Sequence, residues 1–466
     1  MDHIIQQIDT FAAKAFSDWQ VLGAAIGIVH NGQVIHLKGY GQKGLTNPDP
    51  ITPSTLFPIA SISKGMSAAA IAVLVEQGHL HWHQKVIELL PHFKMYDSWV
   101  TKEFTVADLF SHRSGLPFDP MQQLPLWGYS VQDLKNSLPL IPPFTSFRTT
   151  YQYINILYLF VEDIVAHLTN MPFAEFMSTH VFKPLGMDSA RVGFKAGPQT
   201  QGYEHLIQGH ILDEETYSTV QQIPFSSYPQ IYLAAGGVVA SPNDLCRWML
   251  TQLGHIPFLP MARLRYMWRP QTVISDTEFY GLGWRSLTHK PHRIISHGGL
   301  IKGIRHLLYL VPDSNFGIFV LTSLTHNEAP HKICEYATDL IMGLKPTEYD
   351  SKARDAYLKE LKLNCPPSVQ NIAYEPSEYT GEYTNPILGK GVVAYDESTL
   401  KLYLGTKPAI ALLEPIAAKQ FRLFFIGDSG ADIGEGHWGT ATFEGQTMVL
   451  KGYQRFDVEE FRFEKR

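Results

Sequence analysis

The stretch Phe57-Pro58-Ile59-Ala60-Ser61-Ile62-Ser63-Lys64, continuing into Gly65-Met66-Ser67-Ala68-Ala69-Ala70-Ile71, constrains the fold more than any other part of the chain. An apolar run passes into good helix formers with a stripe through Ile71, Leu74 and Val75, so the pattern predicts a helix entered near Ser61. Residues three apart share a helix face, which makes Ser61 and Lys64 neighbours. Inward N–H groups at a helix start favour developing negative charge. A lysine whose pKa is lowered by burial or nearby positive charge can take a proton from a serine hydroxyl. The spacing alone is common, and an N-capping serine beside a surface lysine is the plainer alternative.

Size sets the frame for this motif. A chain of 466 residues exceeds one ordinary core and predicts two domains, or three. A net charge of −6 without a long basic run argues against a nucleic-acid groove. Cys246, Cys334 and Cys365 have the spacing of neither a metal knuckle nor a disulfide scaffold, and they fit buried thiols in a reducing compartment. The N-terminal residues lack the apolar run of a signal peptide, and no segment approaches ~18 uninterrupted apolar residues. The expectation is a cytoplasmic protein with no membrane partner.

Taken in order, residues 3–19 carry apolar positions at helical spacing. Leu22 to Val29 and Val34 to Tyr40 read as a hairpin around Asn31-Gly32. His79, His81 and His83 alternate, but no carboxylate or thiol pattern accompanies them, and they are read as solvent-facing or locally bonded rather than as metal ligands. Thr105 with Asp108 predicts a capped short helix, and Ser111 to Pro117 a turn. The proline- and aromatic-rich residues 117–148 read as a long loop around a pocket mouth. Helices are expected from Tyr153 to Leu168 and Phe173 to Val181, a strand from Ile231 to Ala240, and a Ser241-capped helix from Pro242. Strand ends at Tyr280 to Trp284 and Arg293 to Gly299, a strand pair at Arg305 to Val311 and Phe316 to Thr322, and a helix from Ala329 to Met342 complete this unit. The expected architecture is α+β, with one sheet assembled from both ends of residues 1–345 and a helical insertion between them. Residues 346–370 read as a linker, and short alternating segments over 371–466 predict a small all-β barrel or sandwich.

Three motifs stand in a fixed order: Ser61-Ile62-Ser63-Lys64, Tyr153-Ile154-Asn155 and His297-Gly298-Gly299, with Gly236-Gly237 between the last two. Together with the phrases Leu109 to Pro117 and Pro184-Leu185-Gly186-Met187, they resemble the serine β-lactamase and penicillin-binding-protein superfamily, in its class C and esterase branch. The resemblance implies an antiparallel sheet flanked by helices plus a helical subdomain. It also implies an acyl-enzyme route in which Ser61 attacks a carbonyl while Lys64 and Tyr153 share the base and proton-shuttle work. Tyr153 suits that role only beside an ammonium such as Lys64. By the same resemblance Asn155 orients Lys64, His297 opens the third motif, and the N–H groups of Ser61 and Leu300 hold the oxyanion.

The expected substrate is a small ester or peptide-like amide. A peptidase for D-amino-acid peptides or a weak β-lactamase is the alternative within enzymes, and a catalytically silent scaffold the alternative outside them. Where this family usually carries a lysine, His297 offers no permanent charge for a substrate carboxylate. His112 and Asp244 read as structural. The phrase Tyr379 to Tyr383 resembles the lipocalin-like domains of some members, which implies a barrel that covers the cleft or builds a homo-oligomer. No metal or organic cofactor is expected.

Overall fold

The computed structural model describes the chain except residues 119–123, 194–204, 214–217, 224, 226–227, 349, 351, 364–368, 406–408, 427–435 and 453–459. Cys365 therefore lies outside the described residues.

An eight-stranded sheet built from strands between Gly23 and Thr322 organises the larger unit of the chain. Its order is Gln33–Gly41, Gly23–His30, Phe316–Thr322, Ile304–Val311, His292–Ile301, Arg285–His289, Glu278–Tyr280 and Thr272–Ser275, and every neighbouring pair is antiparallel. The N-terminal hairpin lies beside Phe316–Thr322, so both ends of the unit close one sheet, as the sequence pattern predicts. Asn31 and Gly32 turn the hairpin with φ of 49° and 80°, the left-handed pair that matches strand twist.

One face of the sheet is covered by the helices Asp2–Asp18 and Ala329–Ile341. Ile8, Ala12 and Phe16 meet Ile333 and Ala337 over Ile26 and Ile318, and Phe11 stacks on Tyr336 at 3.9 Å between ring centroids. Each of the isoleucine and phenylalanine side chains contributes roughly 1.5–3 kcal/mol by leaving water. The opposite face carries the helical insertion and the helix Ser63–Glu76. That helix is buried from Ser63 to Leu74 on all sides, a core helix rather than the striped one expected.

Several expected elements differ. The 117–148 loop contains the helix Val131–Ser137, started by a reciprocal Ser130–Asp133 capping box. The expected Tyr153 helix begins only at Leu159, after a 3₁₀ turn over Ile156–Tyr158, so Tyr153 and Asn155 precede it. Ile231 to Gly236 is not strand: short helices Tyr228–Ile231 and Leu233–Gly236 precede a strand confined to Val238–Ala240. Within the segment read as a linker, Ala353–Leu363 is helical, and Tyr357 packs edge-on against Trp19 at 5.4 Å.

The C-terminal strands, from Gly381–Asn385 to Glu460–Lys465, close an eight-stranded antiparallel barrel. Its interior holds Tyr383, Leu400, Leu402, Leu404, Phe421 and Phe463, all buried. The barrel rests on the helical insertion, where Tyr129 donates its hydroxyl proton to the Leu388 carbonyl at 2.5 Å. Among the described residues no helix is long and apolar enough to cross a membrane.

Candidate active site

The approach to Ser61 is held by backbone pairing. Phe57–Pro58 pairs with Val238–Ala240, and the Ile59 N–H donates to the Val238 carbonyl at 2.9 Å. Ala60 then takes φ of 48°, a left-handed conformation that costs a β-carbon residue roughly 1–2 kcal/mol. Ser63 offsets it by donating its Oγ proton to the Ala60 carbonyl at 2.6 Å and accepting the Val238 N–H at 3.1 Å. The bend places Ser61 in a 3₁₀ turn, Ala60–Ile62, just before the buried helix. Local composition gives no sign of this bend, because alanine is an unusual residue for it.

Around Ser61 the side chains converge. Lys64, fully buried, donates from Nζ to Ser61 Oγ at 3.1 Å, to Asn155 Oδ1 at 2.6 Å and to the Ala235 carbonyl at 2.8 Å. Tyr153 donates its hydroxyl proton to Ser61 Oγ at 2.8 Å. The Lys64 ammonium also lies 4.9 Å from the Tyr153 ring centre and 5.0 Å from that of Tyr158. Asn155 and Ala235 thus aim the ammonium between the serine and the phenol. This is the geometry a nucleophile and a proton-transfer partner need.

His297 lies behind this cluster, only 3% exposed, with its ring centre 6.4 Å from that of Tyr153. Its Nδ1 meets the Gly298 carbonyl at 2.6 Å and its Nε2 the Tyr280 hydroxyl at 2.7 Å. A carbonyl only accepts, so a neutral imidazole here carries its proton on Nδ1 and accepts from the Tyr280 hydroxyl at Nε2. Burial and the Lys64 charge push its pKa well below 6.5. From His297 onward the strand has run past Arg285–His289, whose pairing ends at Ser296, and that edge turns toward Ile59 and Ala60. Gly299 passes so close that a β-carbon there would overlap the Ile59 carbonyl oxygen. Leu300 follows with its side chain 55% exposed.

Sequence reasoning missed three contributors. Tyr280 orients His297, but it sits in a short strand with no pattern of its own. The Ala235 carbonyl carries no side-chain signal at all. Glu162 is a half-buried carboxyl on the helix Leu159–Thr169 that accepts the Ala234 N–H at 3.1 Å and so fixes the turn holding Lys64. A lone glutamate after the apolar run Ile156 to Val161 is the available signal.

Burial raises the Glu162 pKa to about 8, against the lowering pull of the Ala234 N–H and Lys135. The folded state then binds the proton more tightly than the unfolded chain, so this group's contribution to stability falls as pH rises from 4.5 toward about 8. Buried His112, His297 and His306 act oppositely. Desolvation holds them below 6.5, so the unfolded chain gains protons the native state refuses and stability falls as pH drops from 6.5. Urea midpoints are expected to decline on both sides of near-neutral pH. In Glu162→Gln the alkaline decline should flatten while the acid decline persists; an unchanged alkaline slope contradicts the assignment.

The remaining sequence readings sit elsewhere. His83 Nε2 meets the Tyr266 hydroxyl at 3.2 Å, away from the cluster. Cys246 and Cys334 are buried free thiols. Asp244 closes the capping box with Ser241 at the start of Pro242–Gln252.

Comparison with known proteins agrees with the fold. The family model described as Beta-lactamase matches residues 2–342. The chain belongs to this β-lactamase family of serine hydrolases. It is 24% identical over 458 residues to the unguisins hydrolase ungD' of Aspergillus campestris, covering 91% of this chain and 84% of the relative. It is 25% identical over 354 residues to protein flp of Staphylococcus aureus, covering 73% of this chain and 67% of flp. Among solved structures, the octameric penicillin-binding protein homologue from Pyrococcus abyssi aligns over 100% of both chains with a TM-score of 0.66 and 19% identity. The class C β-lactamase from Rhodobacter sphaeroides aligns over 72% of this chain and 99% of its own with a TM-score of 0.60 and 20% identity.

Proposed function

We propose that the protein is a serine hydrolase that forms an acyl-enzyme at Ser61 and hydrolyses small esters or peptide-like amides lacking a free carboxylate beside the scissile bond. The observation carrying this reading is the double contact on Ser61 Oγ, from Lys64 Nζ at 3.1 Å and the Tyr153 hydroxyl at 2.8 Å. A scaffold that had lost its chemistry would not need a buried ammonium aimed at a serine. In the proposed reaction the Lys64–Tyr153 pair first releases one proton to solvent, leaving a phenolate beside the ammonium that takes the serine proton as Oγ attacks the carbonyl carbon. The backbone N–H groups of Ser61 and Leu300 take the oxyanion, the leaving group collects the proton, and water repeats the sequence on the acyl-enzyme.

The preference for uncharged substrates follows from His297. Its neutral imidazole is turned to Tyr280 and Gly298, so the third motif offers no cation to a carboxylate. The nearby Arg285 is paired with Glu278 at 2.5 Å and donates to the Tyr151 hydroxyl at 3.1 Å. The test compares one short peptide ester as its C-terminal amide and as its free acid. The amide is expected to show a kcat/KM at least ~10-fold higher, the scale of about 1.4 kcal/mol. Equal or preferred turnover of the free acid contradicts the preference.

A further inference from the structure

His112 belongs to a turn that the proposed chemistry does not use, yet it touches the site from both main chain and side chain. Its Nδ1 accepts the Ile154 N–H at 3.1 Å, and its carbonyl accepts the Gln152 N–H at 2.9 Å. Ile154 lies between Tyr153 and Asn155, the two residues that meet Ser61 and Lys64. The imidazole leans on the Tyr153 ring at 4.3 Å between centroids and stands edge-on to Tyr280 at 4.5 Å. One ring therefore separates the phenol facing Ser61 from the phenol bonded to His297.

The turn is itself anchored. Asp108 accepts from Arg113 Nε at 2.8 Å and from Arg148 Nη2 at 2.6 Å, and the Arg148 N–H donates to the Arg113 carbonyl at 2.7 Å. Burial alone would raise the Asp108 pKa, but these guanidinium groups hold the carboxyl below its usual range. His112 adopts φ of 54° on this frame. A left-handed histidine with a buried ring is an unfavourable local choice, so the surroundings must over-determine it. Because Nδ1 accepts, the ring proton resides on Nε2, which is buried and has no hydrogen-bond partner among the described residues. A group retained only for packing would not need an acceptor at that position.

We infer that His112 is a positioning residue for the proposed hydrolysis: it fixes the Tyr153-Ile154-Asn155 segment so that the Tyr153 hydroxyl and the Asn155 amide meet Ser61 and Lys64. The inference rests on the Ser61 reading, since it assigns His112 a part in that chemistry. It acts through Tyr153 and Asn155 and touches neither nucleophile nor substrate.

Three replacements separate its contributions. His112→Asn retains an acceptor where Nδ1 lies and tolerates the left-handed backbone. His112→Phe retains the ring and leaves the Ile154 N–H unpaired. His112→Ala removes both. Steady-state kinetics on a neutral ester should show kcat for His112→Ala falling ~10²-fold, the loss expected from a displacement of about 1 Å, with KM changed less than about threefold. His112→Asn should recover most of that loss and His112→Phe little of it.

Crystal structures of the alanine and asparagine variants give a readout independent of activity. In the first the Tyr153 hydroxyl should leave Ser61 Oγ, and in the second it should stay. Tyr153 unmoved in His112→Ala, or phenylalanine rescuing as well as asparagine, overturns the inference. If wild-type protein turns over no ester and forms no Ser61 adduct, the proposed function fails. The two crystal structures then still decide whether His112 positions Tyr153.

Discussion

Replacing Ser61 by alanine is expected to abolish ester turnover while leaving the unfolding midpoint close to wild type, because Ser61 is only half-buried and ends no core contact. Lys64→Met and Tyr153→Phe are expected to slow acylation by ~10²–10⁴-fold, the usual contribution of a positioned acid or base. The two losses should not add. Lys64 and Tyr153 meet the same Oγ, at 3.1 and 2.8 Å, and groups that act as one unit lose most of their effect when either is removed. The double variant should therefore be little slower than the worse single variant. Rapid-quench measurement of the acylation step separates this from slow product release. Wild-type acylation in either single variant removes that residue from the mechanism.

The third motif gives an equally large effect at a residue without a side chain. Gly298→Ala and Gly299→Ala differ by one position, yet the structure treats them differently. A β-carbon on Gly298 would find its nearest neighbour, the His306 carbonyl oxygen, at 3.4 Å, whereas one on Gly299 would overlap the Ile59 carbonyl oxygen. Ile59 opens the bend into Ser61, so relief of that overlap must part the Leu300 strand from the nucleophile. Loss of one oxyanion donor typically lowers kcat ~10²–10³-fold, and Gly299→Ala should fall in that range while Gly298→Ala stays within about threefold of wild type. Equal activity of the two variants would contradict the placement of the Leu300 N–H in the oxyanion site.

Where physics is local, the sequence was legible. The Asn31-Gly32 hairpin and the capping boxes at Thr105–Asp108 and Ser241–Asp244 depend on residues two or three apart, and each appears where its pattern falls. Motif order also brought Ser61, Lys64, Tyr153 and Asn155 into one expectation, and the structure gathers them within hydrogen-bond reach.

Other features depend on tertiary context. The helix Ser63–Glu76 is buried on all sides, so its periodicity suggested a stripe that does not exist. Ile231 to Gly236 pairs β-branched and small residues, yet Glu162 and Lys64 bind its backbone as a helical turn. In the barrel strand Ala409–Ala417, Pro415 stands where proline is normally disfavoured, and the ladder accommodates it with a register shift between Pro415 and Ala417. Glu162 and Tyr280 act on the site through other residues, and neither belongs to a motif.

Intact-mass analysis after exposure to a fluorophosphonate, run beside a Ser61→Ala control, reads out whether Ser61 is an activated nucleophile. One covalent adduct per wild-type chain is expected, and none on the alanine variant. An adduct that survives in Ser61→Ala, or wild-type protein that remains unmodified, would contradict an activated nucleophile at Ser61.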